Sequence, residues 1–418
     1  MALAVGLALR LAWCAVAART PVGVHDPGLY RFLAERIVDG HGYSYANGPT
    51  AYYPPLLPFL LAPPFWLADR IPGVDDPATL ATVGLNLAFS AAAIALAWHL
   101  AGRLGGPRAG ALAALLLAVW PNLVVHTALP LTETPTLVVV LGLAALLVEG
   151  LGDGRSPTVG RLLLLGVTLG FGLLLRPVLL PVLAVFVVVW WRDGEGWSAV
   201  VRRTATVVLG ATAVCLPWVV RNAVVVDTVA LTLNTGDNLC IGHQPGADGT
   251  FLPTEHCFPT SFDELPRPDS EIERDAANRT KAWEHLREHL AGEPGQVARR
   301  FWATVADDRD GLRAAESFGE DRFLEPWART AIGWASDGAY ALAVAAGLVL
   351  VPRALRGGDR RRWAVLGLLV ASLLAPLATF GEPRFKVPAV PLLCVLLALG
   401  AVGARQGDVA IDVPADDP

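Results

Sequence analysis

An all-α polytopic membrane protein with about ten transmembrane helices is the fold class this sequence predicts, and three observations predict it. The 418 residues have a mean hydropathy of +0.48. They are 54% hydrophobic and only 17% charged, more apolar and less charged than an ordinary soluble domain. Apolar runs of roughly 17 to 22 residues recur along the chain, each long enough as a helix to cross about 30 Å of hydrocarbon. The runs are continuous rather than alternating, which excludes a closed β-barrel.

Bounded by charge or by Pro and Gly, these runs place spans near residues 2–18, 83–101, 109–128, 134–151, 160–176, 178–191, 204–221, 331–351, 363–380 and 387–404. The first holds Arg10 and Trp13. It has a signal peptide's length but no small-residue cleavage site before a mature start, and it reads as a retained anchor. Arg103 and Arg108, Arg155 and Arg161, Arg192, Arg202 and Arg203, and the arginines from Arg353 to Arg362 fall on alternate connections, and Arg405 follows the last span. By the positive-inside rule that side is cytoplasmic, with Trp190, Trp191, Trp218, Trp334 and Trp363 at span ends where indoles meet headgroups.

Two long segments, 19–82 and 222–330, then face outward. The expected organisation is a membrane module over 1–222, an extracytoplasmic loop domain over 223–330, C-terminal membrane helices over 331–405 and a disordered cytoplasmic tail over 406–418. The net charge of −5 arises from 33 basic and 38 acidic residues, and no basic cluster is interleaved with aromatics, so nucleic acid is not an expected partner. Few lysines, a single Met and abundant Ala, Gly, Leu and Arg match the codon bias of a high-GC bacterial genome.

In the first outer segment, Leu29, Phe32, Leu33, Arg36 and Ile37 fall on one side and Arg31, Glu35 and Asp39 on the other, which predicts a helix at the membrane surface ending at Gly40. A second interfacial or re-entrant helix is expected around Tyr52–Trp66, apolar but too short and proline-rich to span. Asp26 has two readings: an N-cap before Pro27, or a site carboxylate at the outer end of the first span. Glu133, in Pro130-Leu131-Thr132-Glu133-Thr134-Pro135, is either an anion favoured by a helix N-terminus or a carboxylate facing the same cavity. Arg176, Arg221, Arg384 and Lys386 lie at outer span ends, where basic residues are the exception; an anionic phosphate explains them, and so does snorkelling.

The stretch from Asn234 to Thr250 is rich in turn residues and suits close backbone approach to a ligand, without the Gly-Lys-Ser/Thr of a P-loop. Ser270 and Glu273 form a capping box expected to open a polar helix to about Leu290. His285 and His289, at i and i+4 on it, lack a surrounding zinc motif and read as a solvated face. Cys240 and Cys257 can pair in an oxidising compartment or stay free, and the sequon at Asn278 reads as chance within a helix.

The order of these features resembles the C-type glycosyltransferases, within them glycosyltransferase family 39, the bacterial proteins similar to dolichyl-phosphate-mannose protein mannosyltransferases. The likeness rests on Asp26 and Tyr30, on Ala34 and Gly40-His41-Gly42-Tyr43, and on Tyr52-Tyr53-Pro54-Pro55-Leu56-Leu57-Pro58. Thr132-Glu133, Arg176-Pro177, Pro217-Trp218-Val219-Val220-Arg221-Asn222, Asn234-Thr235-Gly236-Asp237-Asn238-Leu239 and Arg384-Phe385-Lys386-Val387-Pro388 complete it. His25 before the Asp, Pro27 after it, and His243 where Asn is common depart from the family pattern.

The resemblance implies a C-type glycosyltransferase fold and an inverting transfer of one sugar from a polyprenyl-phosphate monosaccharide to a protein, lipid or glycan acceptor at the outer face of a bacterial inner membrane. Asp26 is then the base, and Arg384, with Arg176, Arg221 or Lys386, meets the donor phosphate. His25, Tyr30, Glu133, Asn238 and His243 line the substrate cavity. The resemblance fixes no cofactor and leaves a divalent metal open. The rival classes are a lipid-linked-sugar transporter or flippase, which predicts charged or broken spans and related halves, and a non-catalytic lipid-binding scaffold, which predicts outer carboxylates and arginines far apart.

Overall fold

The computed structural model describes residues 1–151, 156–194, 196–258 and 268–407. The expectations for Arg155 and for the acidic tail from Asp408 lie outside the described residues. Among the described residues, six helical segments are long and apolar enough to cross a membrane, and shorter apolar helices at Ala2–Ala17, Leu56–Ala68, Val159–Leu175 and Pro177–Trp191 accompany them.

The helix Pro77–Ala118 is opened by Asp76, whose carboxylate accepts from the Thr79 amide at 3.0 Å, with Pro77 in the first turn. It is two antiparallel spans. Gly106 takes φ +83° ahead of Pro107, a backbone that glycine reaches without strain, and the chain reverses there. A Cβ on Gly110 would lie 2.7 Å from the Trp98 carbonyl and 3.3 Å from the Gly102 Cα, contacts a continuous helix could not make. The second of these spans stops at Ala118, short of the expected 128. Trp120 is extended ahead of Pro121, as a residue before proline prefers, and the chain restarts as Pro121–Val125 and a 3₁₀ turn, His126–Ala128. Arg10, 1% exposed, donates to the Gly6 and Ala118 carbonyls at 3.0 and 2.8 Å, satisfying a carbonyl at the frayed end of that span.

Prolines reshape three other expected spans. Residues 178–191 are a 3₁₀ turn, Pro177–Leu179, and a helix, Val182–Trp191; 363–380 divide into Arg360–Ala371 and Ala375–Ala378. The last span enters through a 3₁₀ segment, Pro383–Ala389, and continues as Val390–Gly407. Its Leu392, Cys394, Val395, Leu396 and Ala398 are fully buried, making it the centre of the core. Pro326–Leu355 lies outside, with Trp334, Leu342 and Leu348 over 70% exposed, a distribution that suits lipid as the surrounding solvent.

The two surface helices of the first outer segment form, at Asp26–Val38 and Leu56–Ala68. The buried face of the first is Pro27, Tyr30, Leu33 and Ala34, and Arg31 ties it to Asp76 through both carboxylate oxygens at 2.9 and 3.0 Å. In the large loop, helices Thr235–Gly242, Pro268–Glu288, Glu293–Val305 and Asp310–Ala315 follow in order, and Cys240 is disulfide-bonded to Cys257. Pro268–Glu288 is already helical before Ser270, so Ser270 and Glu273 lie inside it rather than capping it. Asn278 is buried and donates to Asp237 at 2.7 Å and to the Cys257 carbonyl at 2.9 Å, which gives the sequon asparagine a structural role.

Candidate active site

The site assembles from four chain segments remote in sequence. Asp26 begins the first surface helix, but His25 holds the N-cap position and its side chain accepts no capping hydrogen bond. The Asp26 carboxylate turns away from the helix backbone: Tyr53 donates its hydroxyl to Oδ1 at 2.7 Å, and Arg384 donates Nη1 to Oδ2 at 2.5 Å. The helix-cap reading therefore fails for this side chain. Glu133 occupies the first position of Glu133–Gly150, as its helix-terminus reading has it, and is fully buried. Its Oε1 accepts from Arg176 Nη1 and from Arg384 Nε, each at 3.0 Å. Its Oε2 is buried and has no hydrogen-bond partner, an orphaned acceptor of the kind that an incoming donor satisfies.

The result is an alternating row, Asp26–Arg384–Glu133–Arg176, in which Asp26 and Arg384 keep partial access, with side chains 26% and 15% exposed. Tyr53 is held protonated by burial and by the neighbouring Asp26 charge, so it is a donor. Tyr30, one helical turn after Asp26, is buried with its ring 5.1 Å from that of Tyr53 and is likewise kept neutral, first by burial and then by Asp26.

A second cluster adjoins this row, built on an Asp-rich turn of the large loop. Asp308 accepts from Trp120 Nε1 at 2.8 Å and pairs with Lys386 at 3.0 Å; Asp310 pairs with His126 at 2.8 Å, and Asn122 bridges the two carboxylates. Burial works against protonation of His126, but the hydrogen bond and charge of Asp310 outweigh it and raise its pKa. Lys386 is thus neutralised by Asp308 and the Asp307 and Pro383 carbonyls, with no donor left for a phosphate in this arrangement. Arg221 is also elsewhere. It donates to the Thr50 and Tyr43 carbonyls at 2.6 and 2.7 Å and lies over Trp218, holding the first outer segment to the end of Trp197–Val225.

The remaining expected cavity residues spread outward. His25 pairs with Glu320 at 2.9 Å and packs on Phe318, beside the site. Asn238 is half-buried; from its helix it is Asp237 that is buried, accepting from Tyr52 at 2.9 Å and pairing with Arg274 at 3.2 Å. His243 donates Nδ1 to the Leu239 carbonyl at 3.0 Å, and its Nε2 lies 3.3 Å from Glu293, within the large loop. Two glycines of the 234–250 stretch make room for neighbouring backbone: a Cβ on Gly236 would meet the Asp275 carbonyl at 2.0 Å, and one on Gly242 the Thr379 carbonyl at 1.7 Å. The rings of His285 and His289 stack at 4.2 Å, and among the described residues no group of three or more His, Cys, Asp or Glu could hold a metal ion.

Tyr53, His126, Asp308, Asp310 and Glu382 were not singled out as site residues from sequence. Two signals existed: Asp307-Asp308-Arg309-Asp310 is an acidic run in the outer loop, and His126 is an ionisable residue in an apolar run.

Residues 53–220 match the family model of the dolichyl-phosphate-mannose-protein mannosyltransferases. The matched stretch includes Tyr53, Glu133 and Arg176, and Asp26 and Arg384 lie on either side of it. The resemblance expected from the motifs is therefore borne out. Among solved structures, the oligosaccharyltransferase of Archaeoglobus fulgidus in its apo form has a TM-score of 0.53 at 15% identity, over 100% of this chain and 52% of that one. The same enzyme with Zn and sulfate scores 0.54 at 14% identity, over 97% and 49%. ArnT from Cupriavidus metallidurans bound to undecaprenyl phosphate scores 0.45 at 16%, over 97% and 77%. The fold is thus that of the C-type membrane glycosyltransferases, and this chain spans about half the length of the archaeal enzyme. No curated protein sequence matches it.

Proposed function

We propose that this chain is an integral membrane glycosyltransferase that moves one sugar from a polyprenyl-phosphate donor to an acceptor hydroxyl, inverting the anomeric centre. The observation that carries the reading is the Asp26–Arg384 contact: a partly accessible carboxylate and a guanidinium share one site, with Glu133 and Arg176 behind them. The match to a family described by a dolichyl-phosphate-linked sugar supports the donor class. Convergence of the outer carboxylates and arginines is the arrangement that a non-catalytic scaffold does not need.

In the reaction, Arg384 exchanges Asp26 for the donor phosphate while its Nε stays on Glu133. Asp26, left with the Tyr53 hydroxyl, takes the proton of the acceptor hydroxyl as that oxygen bonds to the anomeric carbon. The bond from that carbon to the phosphate oxygen breaks, and the phosphate leaves with the electron pair, its charge stabilised by Arg384 and the adjoining Arg176. Phosphate is a good leaving group, so one carboxylate suffices where glycoside hydrolysis uses two. Of the four basic residues expected at the phosphate, Arg384 and Arg176 keep that role here, and Arg221 and Lys386 act as structural ties.

The site lies, in this reading, on the extracytoplasmic face of a bacterial inner membrane. The Cys240–Cys257 disulfide in the same large loop supports an oxidising side, and the division into a membrane module, a loop domain and C-terminal helices follows. The test is transfer of labelled sugar from a panel of polyprenyl-phosphate monosaccharides by purified protein in lipid, with Asp26→Asn and Arg384→Ala alongside. Transfer by wild type alone is expected; undiminished transfer by Asp26→Asn sinks the base assignment.

A further inference from the structure

A cavity of about 750 Å³ opens beside the catalytic row, and no step above uses it. Its inner end is Gly381, Glu382 and Pro383, so it reaches within two residues of Arg384. Its outer walls come from the Asp248–Phe251 loop and from Glu293–Val305, which presents Trp302 at 69% exposure. We infer that this cavity is the acceptor subsite and that it takes a neutral glycan; the inference rests on the transferase reading.

Three features carry it. First, Trp302 and Phe251 line a largely apolar space together with the charged side chains of Asp248, Arg299 and Asp307, so these rings stand beside hydrogen-bonding groups and not beside apolar ones alone. An aromatic face beside hydrogen-bonding groups suits a pyranose, whose two faces are apolar and whose rim is hydroxyl. Second, the charges come close to balance: Arg299 and Arg313 stand against Asp248 and Asp307, Glu382 adds a third carboxyl whose ionisation burial opposes, and Arg313 is already paired to Asp307 at 2.5 Å. A cleft of little net charge gives little advantage to an acidic or basic partner, while its carboxylates and guanidiniums bond hydroxyls. Third, Glu382 joins the cavity to the reacting groups. Burial pushes its carboxyl up to about 7 against the pull of Arg384, so near neutrality it both donates and accepts. Lining the cavity two residues before Arg384, it offers the acceptor hydroxyl a hydrogen-bonding partner at that end.

The experiment is binding of the full-length, detergent-solubilised protein to an array of neutral hexose and pentose oligosaccharides and, in parallel, to an array of hydroxyl-bearing peptides. Vesicles containing polyprenyl phosphate measure donor affinity separately. Wild type is expected to bind at least one neutral glycan, with affinity reduced at least tenfold by Trp302→Ala, an exposed position whose change spares folding. Phe251→Leu is expected to weaken the same glycan severalfold. Where turnover is measurable, Trp302→Ala raises the acceptor KM far more than it lowers kcat. Binding of peptides alone, of no glycan, or of glycans indifferently to Trp302→Ala overturns the inference. Loss of polyprenyl-phosphate affinity in Trp302→Ala overturns it too, by making the cavity the seat of the donor's hydrocarbon chain. Failure of wild type to bind or use any polyprenyl-phosphate donor rejects the transferase reading itself, an outcome the vesicle arm reads separately from the glycan array.

Discussion

Arg384 and Asp26, 358 residues apart in the chain, meet at 2.5 Å, and the same guanidinium turns its Nε to Glu133 at 3.0 Å. One planar side chain thereby closes the first outer helix onto the entry of the last span and onto the start of Glu133–Gly150. Fork geometry is what an arginine supplies and a lysine does not.

Replacing Arg384 by Lys keeps a positive charge but replaces two separated nitrogens by one, so the planar fork that reaches Asp26 and Glu133 from different atoms is lost. Transfer is expected to fall at least about a hundredfold in kcat/KM, roughly 2.7 kcal/mol of transition-state stabilisation. Steady-state kinetics with a fixed donor check this; near-wild-type turnover in Arg384→Lys shows that charge alone is sufficient.

Arg176 matters differently, because Glu133 is fully buried and Arg176 is 6% exposed. Arg176→Met leaves the buried carboxylate with Arg384 as its remaining ion-pair partner, and a loss of about 3–5 kcal/mol is expected. The double variant Arg176→Met/Glu133→Leu is expected to recover much of that stability while losing activity. Thermal unfolding in detergent distinguishes the cases, and a single variant as stable as wild type contradicts the ion-pair account.

Docking of Pro268–Glu288 onto the first outer segment is expected to weaken as pH rises. Glu271 is fully buried, accepting from the Thr50 hydroxyl at 2.7 Å and the Ala51 amide at 3.2 Å. Burial outweighs those bonds and raises its pKa from 4.5 to about 7. The docked form then binds the proton more tightly than the undocked one. Its stabilisation, at most about 3 kcal/mol, is complete below pH 4.5 and is lost as pH rises to about 7. Amide exchange at Ala51 and Tyr52 across that range reads the effect, and Glu271→Gln is expected to flatten it. Exchange that slows with rising pH after correction for the intrinsic rate gives the opposite sign and refutes it.

The Cys240–Cys257 bond closes a short loop that carries Gln244, Asp248 and Phe251. Its removal by Cys240→Ser/Cys257→Ser is expected to destabilise the outer loop domain by roughly 2–4 kcal/mol. Limited proteolysis between residues 240 and 258 is expected to accelerate, while the membrane helices keep their melting behaviour. Equal resistance before and after the change shows that packing alone holds the loop.

The membrane helices were legible because apolar length is a local property, and continuous runs over one bilayer thickness need no knowledge of neighbours. The outer surface helices and Asp26, Glu133 and Arg384 were legible as well, the last three through motif order. Less legible was what each ionisable residue pairs with. Arg221 and Lys386 carry the same sequence signal as Arg384, a basic residue at an outer span end, yet backbone carbonyls occupy Arg221 and Asp308 occupies Lys386. Asp308, Asp310 and His126 escaped because their partners lie more than 180 positions away or in a segment of another class.

By itself the sequence determined a helical membrane protein, the break between the spans on either side of Gly106-Pro107, and the identity of the groups able to do chemistry. Those follow from hydrophobic length and from backbone restrictions within a few residues. Only the tertiary structure decided that Asp26 faces Arg384 and Tyr53 rather than capping its own helix, and that Glu133 keeps one oxygen unpartnered. It also decided that Gly236, Gly242 and Gly249 admit neighbouring backbone. The reason is range: a helix is stabilised by contacts within four residues, whereas a buried charge is settled by whichever opposite charge or carbonyl the packing brings near.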